Sequence, residues 1–315
     1  MKIQMIRSNK TKPFIKWVGG KTQLLNQLDQ FLPEAIFHEK FTYIEPFVGG
    51  GAMLFHILGK FKNFNRIIIN DINEDLIKSY INIKENPSQL IDGLKKIETD
   101  YLGTAEQDRK EFYLDIRSRF NRKTVDDITN TVYMMFLNRT CFNGLYRVNR
   151  KGEFNVPFGK YKNPRICNQE TIIADSRALN SIDIDIINDS FETTKKYIDS
   201  NGLTFFYFDP PYRPLTETSS FTSYSKGDFN DDDQIRLAEF CKSIDSNKCL
   251  WMLSNSDGKS KNPDDDFFDN LYDGFSINHV SASRSINANP NKRGKLTELL
   301  IHNKYKLNNF LFEAV

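Results

Sequence analysis

Short apolar runs and amphipathic segments alternate in the first part of the chain. The runs Tyr43-Ile-Glu-Pro-Phe47 and Arg66-Ile-Ile-Ile-Asn70 are typical of buried strands. Helical spacing follows each run, at residues 52–58 and 74–84, and residues 21–31 show the same spacing before the first strand. This order predicts a βαβα unit, which is the opening of a doubly wound α/β sheet.

The pattern changes beyond residue 85. Residues 91–142 have helical spacing with more charge, and residues 142–164 are rich in Gly, Asn and Arg without strong periodicity. Strand signals then return at residues 183–187, 203–208, 249–253, 275–280 and 296–302. We therefore predict a catalytic α/β domain formed by residues 1–84 and 166–315, with an inserted helical domain at residues 85–165.

The strand predicted at residues 203–208 runs into Asp209-Pro210-Pro211-Tyr212. The two prolines fix φ and remove two backbone donors, so the turn is stiff and presents a carboxylate, a carbonyl and an aromatic ring. A flat ring with an amino group fits these features. The Asp209 carboxylate and the Pro210 carbonyl can each accept one amino hydrogen, while Tyr212 stacks on the ring. The same residues are also compatible with a plain strand-ending turn that an aspartate caps.

A glycine turn, Phe47-Val-Gly-Gly-Gly51, separates the first predicted strand from its helix. Phe47, Gly49 and Gly51 are candidate cofactor contacts, because glycines there allow close approach of a nucleotide. Asp71 ends the next strand and can accept hydrogen bonds from ribose hydroxyls. This pair of features does not separate NAD from S-adenosylmethionine, and Asp71 is alternatively the N-cap of the following helix.

A second glycine pair lies in Lys16-Trp17-Val18-Gly19-Gly20-Lys21. The segment lacks the GxxxxGK[ST] spacing of a phosphate-binding loop. Trp17 can pack on a cofactor, and Lys21 can meet a carboxylate such as the methionine tail of S-adenosylmethionine. A core tryptophan beside a surface lysine at a helix start is the alternative.

Composition narrows the class of protein. Among 315 residues, 39% are hydrophobic and 27% charged, and no apolar stretch approaches the roughly 18 residues of a membrane span. Residues 1–10 contain no apolar signal core. The four cysteines and four histidines lack metal-ligand spacing, so we expect no metal, no disulfide framework and a cytoplasmic protein.

Net charge is only +2, but Lys and Arg concentrate between residues 139 and 165, where Glu153 is the single acid. Aromatic residues are interleaved with these cations, as in elements that contact nucleic acid. Lys160, Lys162 and Arg165 are candidates for phosphate contacts. A solvated surface loop is the alternative interpretation.

Taken together, the motifs resemble those of the Dam-like (D12 class, group α) DNA adenine-N6 methyltransferases. Four motifs occur in the family's order: Lys16-Trp-Val-Gly-Gly-Lys21, Phe47-Val-Gly-Gly-Gly51, Phe142-Asn-Gly-Leu-Tyr-Arg147 and Asp209-Pro-Pro-Tyr212. Each motif alone is unspecific, whereas the ordered set is specific and extends from residue 13 to about residue 300. Segment 142–162 is most similar to that of GATC-modifying methylases of the DpnII/MboI type.

The resemblance implies a Rossmann-like methyltransferase domain that binds S-adenosylmethionine and a helical insert that recognises double-stranded DNA. It places four residues at or beside the cofactor: Trp17, Lys21, Asp71 and Asp209. Phe191 matches an aromatic near the cofactor adenine, although Ser190 precedes it where some relatives carry Asp. The catalytic pocket would consist of Asp209, Pro210 and Tyr212.

For the DNA, the resemblance matches further residues to positions that touch target bases: Lys16, Asn143, Leu145, Arg147 and Pro157. Phe142 matches an aromatic that wedges into the duplex. The implied reaction is transfer of a methyl group to N6 of an adenine that has been flipped out of the stack. Arg147 is our candidate for a guanine contact, since arginine binds O6 and N7 in a bidentate manner.

Several readings remain open at this stage. GATC is the expected site, with a longer site such as GATATC as the alternative, and the chain is expected to act as a monomer beside a possible cognate restriction endonuclease. An N-methyltransferase of RNA, protein glutamine or small molecules would keep the chemistry and change the substrate. A catalytically silent DNA-binding module or an NAD-dependent oxidoreductase would leave Asp209-Pro-Pro-Tyr212 without a role.

Overall fold

The computed structural model describes residues 11–17, 19–215, 229–283 and 295–307. Val18 and the amino-terminal residues 1–10, both used in the sequence interpretation, lie outside the described residues. The chain divides into two compact units. We call the unit formed by residues up to Gly19, Gly49–Lys60 and Asn73–Ile182 the helical unit. The sheet unit consists of Gly20–Val48, Phe61–Ile72 and the residues from Asp183 onward.

The described part of the sheet unit contains one seven-stranded sheet in the order β3-β2-β1-β4-β5-β7-β6. Its strands are β1 (Phe41–Glu45), β2 (Phe64–Asn70), β3 (Ile184–Ile187), β4 (Leu203–Phe208), β5 (Cys249–Ser256), β6 (Ser276–Ser283) and β7 (Lys295–His302). Strands β1 to β5 run parallel, whereas β7 is antiparallel to both β5 and β6. The α/β class and the Rossmann-like sheet predicted from the sequence are thereby confirmed.

The strand order reverses between β1 and β4, because the chain leaves β1 for β2 on one side and reaches β4 on the other. Open α/β sheets bind ligands at such a switch point, beyond the carboxyl ends of the strands. The predicted strand at residues 43–47 is displaced, since β1 ends at Glu45. Phe47 therefore lies in the loop beyond this edge rather than inside the strand.

Along the described chain the α-helices are α1 (Leu25–Leu28), α2 (Ala52–Lys60), α3 (Glu74–Glu85), α4 (Pro87–Gly103), α5 (Arg109–Arg122), α6 (Asp127–Thr140), α7 (Gln169–Leu179), α8 (Asp231–Ile244) and α9 (Phe267–Leu271). Helices α1, α8 and α9 belong to the sheet unit and the others to the helical unit. The single helix expected at residues 21–31 is instead α1 flanked by two short 3-10 turns, Lys21–Gln23 and Asp29–Phe31. None of the described helices is long and apolar enough to cross a membrane.

Helix α8 covers one part of the sheet core. Its buried residues Leu237, Cys241 and Ile244 recur at helical spacing and join a cluster with Phe206 of β4 and Trp251 of β5. Burial of each large apolar side chain contributes about 1.5–3 kcal/mol relative to its exposure. An N-terminal capping box, with reciprocal bonds between Asn230 and Asp233, fixes where the helix begins. The rigid packing holds the end of β4 in a defined position.

In the helical unit, α3, α4 and α5 each pack against α6. The segment after α6 has little regular structure, as expected for residues 142–164: it contains a 3-10 turn at Phe142–Gly144 and two isolated bridges, Cys141 to Phe158 and Val148 to Phe154. Helices α4 to α6 lie within the predicted insert. The boundaries of that insert, residues 85–165, stay a prediction.

Candidate active site and nucleic-acid interface

Asp209 directly follows β4 at the carboxyl edge of the sheet, beside the switch point. The Lys21 ammonium lies 2.9 Å from Asp209 Oδ1, and the Lys21 side chain is buried. Burial raises the pKa of Asp209 to about 6, an effect that Lys21 opposes and Glu298 reinforces. Asp209 keeps 21% of its side chain exposed, so above pH 6 it is an ionised and accessible hydrogen-bond acceptor.

Hydrogen bonds on both sides fix the turn after Asp209. The Pro211 carbonyl accepts a hydrogen bond from Gln234 Nε2 at 3.0 Å. The Asn255 side chain donates to the Gln234 side chain at 3.0 Å and accepts from the Arg213 backbone at 3.2 Å. The Pro210 side chain is buried. Two prolines and these bonds leave the turn little freedom, which suits a site that must align a reacting atom.

Tyr212 lies beside Lys21. The Lys21 ammonium is 4.4 Å from the centroid of the Tyr212 ring, and the Tyr212 hydroxyl donates to Glu298 Oε2 at 2.7 Å. Lys21, expected to meet a cofactor carboxylate, thus also pairs with the catalytic candidates Asp209 and Tyr212 inside the sheet unit. Sequence reasoning missed Glu298, whose signal is a lone acid in the apolar run of β7.

The other strand ends carry the predicted cofactor residues of the sheet unit. The rings of Phe47 and Phe191 are 5.4 Å apart with an interplanar angle of 32°. The Asp71 backbone donates to the Ile187 carbonyl at 3.3 Å. The side chain that accepts from Leu76 N at the start of α3 belongs to Asn73, so Asp71 does not act as the N-cap of that helix.

Asn70 and Glu45 are two further residues of this edge that sequence reasoning missed. The buried Asn70 amide donates to the carbonyls of Pro46 at 2.9 Å and Asp189 at 3.0 Å, which ties together the loops after β1 and β3. Glu45 is buried and accepts the Tyr43 hydroxyl at 2.8 Å. Burial raises the pKa of Glu45 well above its usual range, and the charges of Asp209 and Asp71 raise it further.

In the helical unit, the glycine turn is shaped by its neighbours. Gly49 and Gly51 have positive φ angles of 49° and 76°. A Cβ on Gly49 would lie 2.9 Å from the Trp17 ring, and a Cβ on Gly51 would lie 2.4 Å from the Tyr80 hydroxyl. Both positions therefore require glycine for conformation and for space. Trp17 in turn stacks on Tyr146, with ring centroids 5.1 Å apart.

Four of the predicted DNA-contacting residues belong to one network in the helical unit. The Phe142 backbone donates to the Pro157 carbonyl at 2.8 Å, and the Asn143 backbone donates to the Tyr161 hydroxyl at 3.1 Å. The Lys16 ammonium lies 5.8 Å from the centroid of the Tyr161 ring. Phe142 is a large apolar side chain that remains 51% exposed, so its ring is accessible to a partner.

Arg147 is oriented by Asn155. Its Nε donates to Asn155 Oδ1 at 2.8 Å, and the Asn155 backbone donates back to the Arg147 carbonyl at 3.1 Å. Helix α5 holds the segment next to Asn155, because the Tyr113 hydroxyl donates to the Val156 carbonyl at 2.7 Å. The arginine is therefore held before any partner arrives.

The remaining predicted contacts of this segment are simpler. The Leu145 carbonyl accepts from Cys141 Sγ at 3.2 Å. Lys160 and Lys162 are exposed, and the Lys162 carbonyl accepts from Arg109 at 2.6 Å. The predicted site residues thus fall into two groups. The helical unit contains Lys16, Trp17, Gly49, Gly51 and the predicted DNA-contacting residues of segment 142–162. The sheet unit contains Lys21, Phe47, Asp71, Phe191, Asp209, Pro210 and Tyr212.

Comparison with known proteins adds to this geometry. Residues 17–286 match the family described as D12 class N6 adenine-specific DNA methyltransferase. The chain is 47% identical over 296 residues to the Type II methyltransferase M.MjaIII of Methanocaldococcus jannaschii, covering 93% of this chain and 99% of that protein. It is 39% identical to the Type II methyltransferase M1.LlaDCHI of Lactococcus lactis subsp. cremoris, with coverages of 96% and 99%.

A DNA adenine methylase of Vibrio cholerae is 36% identical over 291 residues, with 92% of this chain and 95% of that protein covered. The range that matches the family, residues 17–286, includes the Asp209 turn, the glycine turn and segment 142–162, and among the predicted site residues it leaves out only Lys16. On this evidence the chain belongs to the D12 class of N6 adenine-specific DNA methyltransferases.

Proposed function

We propose that this chain transfers a methyl group from S-adenosylmethionine to N6 of adenine in double-stranded GATC. Membership of the D12 class makes adenine in DNA the target. The observation that carries the chemistry is the Asp209 carboxylate, fixed at the end of β4 and 2.9 Å from Lys21. Three parts of the proposal go beyond family membership: the DNA sequence that is recognised, the flipping of the base and the biological role.

The edge of the sheet unit fits S-adenosylmethionine. The Asp71 carboxylate stands at the end of β2, where an acid can accept from ribose hydroxyls, and the Phe47 and Phe191 rings offer apolar surface for an adenine. The helical unit, taken by itself, carries a glycine turn at Gly49 and Gly51 where a ligand can approach the backbone. When bound, S-adenosylmethionine supplies an electrophilic methyl group on a sulfonium sulfur.

The adenine amino group is a poor nucleophile because its lone pair is delocalised into the ring. Asp209 and the Pro210 carbonyl would each accept one amino hydrogen, which localises the lone pair on N6. Tyr212 would stack on the base and hold its plane. The target amino group lies inside a stacked duplex, so the base must be flipped out to reach Asp209.

This mechanism needs no covalent intermediate with the protein. All four cysteines are buried. Burial raises the pKa values of Cys141 and Cys249 to about 12, so their thiols stay protonated and unreactive at neutral pH. Cysteines without a reactive thiolate are consistent with direct transfer to N6.

Segment 142–162 is proposed to read the DNA. Arg147 is exposed in part, oriented by Asn155, and suited to bidentate contact with a guanine. The exposed Phe142 ring would fill the gap left by the flipped base, while Lys160 and Lys162 would contact phosphates. Assignment of GATC rests on the resemblance of this segment to GATC-modifying methylases.

Two relatives are named Type II methyltransferases. On this basis we propose that the chain is the modification half of a restriction–modification system, acting as a monomer beside an endonuclease with the same site. A solitary methylase without an endonuclease partner is the alternative outcome. Expression of the chain should protect plasmid DNA against an endonuclease that cuts unmethylated GATC.

The reaction is tested with short duplexes and radiolabelled S-adenosylmethionine. We expect transfer to a duplex that contains GATC, and none to a matched duplex in which the adenine is replaced. Preference for GATATC would keep the mechanism and correct the assigned site. Transfer to RNA or protein with no transfer to any duplex would contradict the proposal.

A further inference from the structure

Glu298 is a second carboxylate next to Asp209, and the mechanism above does not use it. Its Oε2 accepts the Tyr212 hydroxyl at 2.7 Å and lies 3.8 Å from the Lys21 ammonium. Only 16% of the Glu298 side chain is exposed. The same lysine lies 2.9 Å from Asp209, so one buried ammonium is shared by two carboxylates.

The topology of the sheet explains how a residue of β7 reaches this edge. Strand β7 is antiparallel to β5, and Glu298 pairs with Ser256, the last residue of β5. The early part of β7 therefore lies beside the carboxyl ends of the parallel strands. Glu298 is part of a regular strand, paired on both sides with β5 and β6, which gives its side chain a rigid base.

We propose that Glu298 is a positioning residue for methyl transfer. It anchors the far end of the Tyr212 ring, and so fixes the plane on which the target adenine stacks, and it holds Lys21 between itself and Asp209. This inference rests on the proposed function, because it takes Asp209 and Tyr212 as the residues that contact the flipped base.

A tyrosine ring held only at Cβ can tilt and swing, whereas a ring whose hydroxyl is also bound has a fixed plane. The bond from Tyr212 to a carboxylate is charge-assisted, and such bonds are stronger than neutral ones. The neighbouring ammonium, 4.4 Å from the ring centroid, adds a contact that depends on the ring's orientation. Loss of Glu298 would release the Tyr212 hydroxyl and remove one of the two carboxylates that hold Lys21 beside the ring.

The charge of Glu298 gives the proposal a second readout. Among the described residues, the ionisable groups that interact electrostatically with Asp209 are Lys21, Glu298, Glu45, Tyr43, Tyr207 and Tyr212. Glu298 raises the pKa of Asp209, whereas Lys21 lowers it. Replacing the Glu298 carboxylate by a neutral amide therefore shifts the pKa of Asp209 downward, because a negative charge beside Asp209 is lost.

The test compares Glu298→Ala, Glu298→Gln, Tyr212→Phe and the double variant Tyr212→Phe/Glu298→Ala on a GATC duplex. We expect Glu298→Ala to lower kcat on the order of 100-fold, with little change in the KM for DNA, since a loosely held ring misaligns the base. Glu298→Gln keeps an oxygen that accepts from Tyr212 and recovers most of this loss. In the Tyr212→Phe background, Glu298→Ala costs less than it does in the wild type, because the bond between the two residues is already lost.

A measurement without DNA or cofactor separates this proposal from the proposed function. The titration of the Asp209 carboxyl carbon is followed by NMR in wild-type protein and in Glu298→Gln, where the midpoint should move to lower pH. Glu34→Gln is the matched control, since Glu34 pairs with the exposed Lys306 and does not face Asp209.

Three results would overturn the positioning role: wild-type kcat in Glu298→Ala, additive effects in the double variant, or an unchanged Asp209 midpoint in Glu298→Gln. A different result would separate the two proposals. If the wild-type protein methylated no duplex, but the Asp209 midpoint still differed between wild type and Glu298→Gln, the proposed function would be contradicted and the coupling between the two carboxylates would stand.

Discussion

Tyr146 stacks on Trp17 in the helical unit, with ring centroids 5.1 Å apart and an interplanar angle of 27°. Tyr146 stands between Leu145 and Arg147, two of the residues proposed to read DNA bases. Trp17 packs against Gly49 in the glycine turn proposed to approach the cofactor. A single aromatic pair therefore joins the segment proposed to read DNA to the glycine turn proposed to approach the cofactor.

The stack predicts that cofactor binding and DNA recognition depend on each other. Tyr146→Leu should weaken S-adenosylmethionine binding by about 0.5–1.5 kcal/mol, the value of an aromatic pair, and reduce the gain in cofactor affinity that GATC DNA provides. Calorimetric titration with and without the duplex measures both quantities. Tyr146→Phe keeps the ring and loses only the hydroxyl that donates to Asp75, so it serves as the control. Equal coupling in wild type and Tyr146→Leu would show that the stack is only structural.

The pH dependence of methyl transfer should follow Asp209. Burial raises its pKa to about 6, and the proposed mechanism needs the ionised carboxylate as acceptor. The value of kcat/KM should therefore fall as the pH drops through about 6 and level off above it. Lys21→Met removes the cation that lowers this pKa, so the same transition should move to higher pH. A flat profile between pH 5 and pH 8 would contradict the assigned role.

Arg147 is predicted to discriminate at one base pair. Arg147→Ala should cost about 1–3 kcal/mol in discrimination at the guanine position and relax specificity there, because a bidentate contact is lost. Competition between GATC and singly substituted duplexes measures the effect. Arg119→Ala, which removes an exposed arginine paired with Asp115 on α5, is the matched control. Unchanged discrimination at every base pair in Arg147→Ala would assign the readout to another residue.

Asp175 of α7 is predicted to make folding stability depend on pH. The side chain is fully buried, and burial raises its pKa from 3.8 to about 8. Between pH 4 and pH 8 the folded protein keeps this proton, whereas the unfolded chain has lost it. The contribution of Asp175 to the free energy of unfolding is therefore fully present below pH 4 and is lost as the pH rises towards 8. Asp175→Asn should therefore unfold at higher urea concentration than wild type at pH 8 and at a similar concentration at pH 4.

The Asn variant keeps an oxygen that can accept the Lys12 backbone hydrogen bond seen in the wild type. Asp115→Asn, at an exposed position, should show no such pH-dependent gain. If Asp175→Asn were less stable than wild type at pH 8, the buried carboxyl would have to be ionised and paired in the folded protein.

The strands and the turn after β4 could be predicted from the sequence because their signals are local. The apolar run Leu203–Phe208 forms β4, every residue of which is buried, and the prolines after Asp209 mark its end. Broken helical turns at residues 21–31 were not predicted. The leucines there follow helical spacing, with Leu24, Leu28 and Leu32 all buried, so periodicity alone suggested one helix.

Partners that meet across the sheet could not be read from the sequence. Lys21 was expected to face a cofactor carboxylate, and its bond to Asp209 depends on tertiary structure. Glu298 reaches Tyr212 only because β7 is antiparallel to β5, and spacing along the chain gives no sign of that direction. Asn70 likewise donates to carbonyls in the loops after β1 and β3, and these partners are distant from it in the sequence.

The most direct test of the central claim is methylation of unmethylated genomic DNA by the purified protein, mapped by single-molecule sequencing for N6-methyladenine. Wild-type protein should modify adenine within GATC, and Asp209→Ala, which keeps the fold of β4, should modify none. Transfer by Asp209→Ala at the wild-type rate, or no N6-methyladenine from folded wild-type protein that binds S-adenosylmethionine, would contradict the assignment of Asp209 as the acceptor for the target amino group.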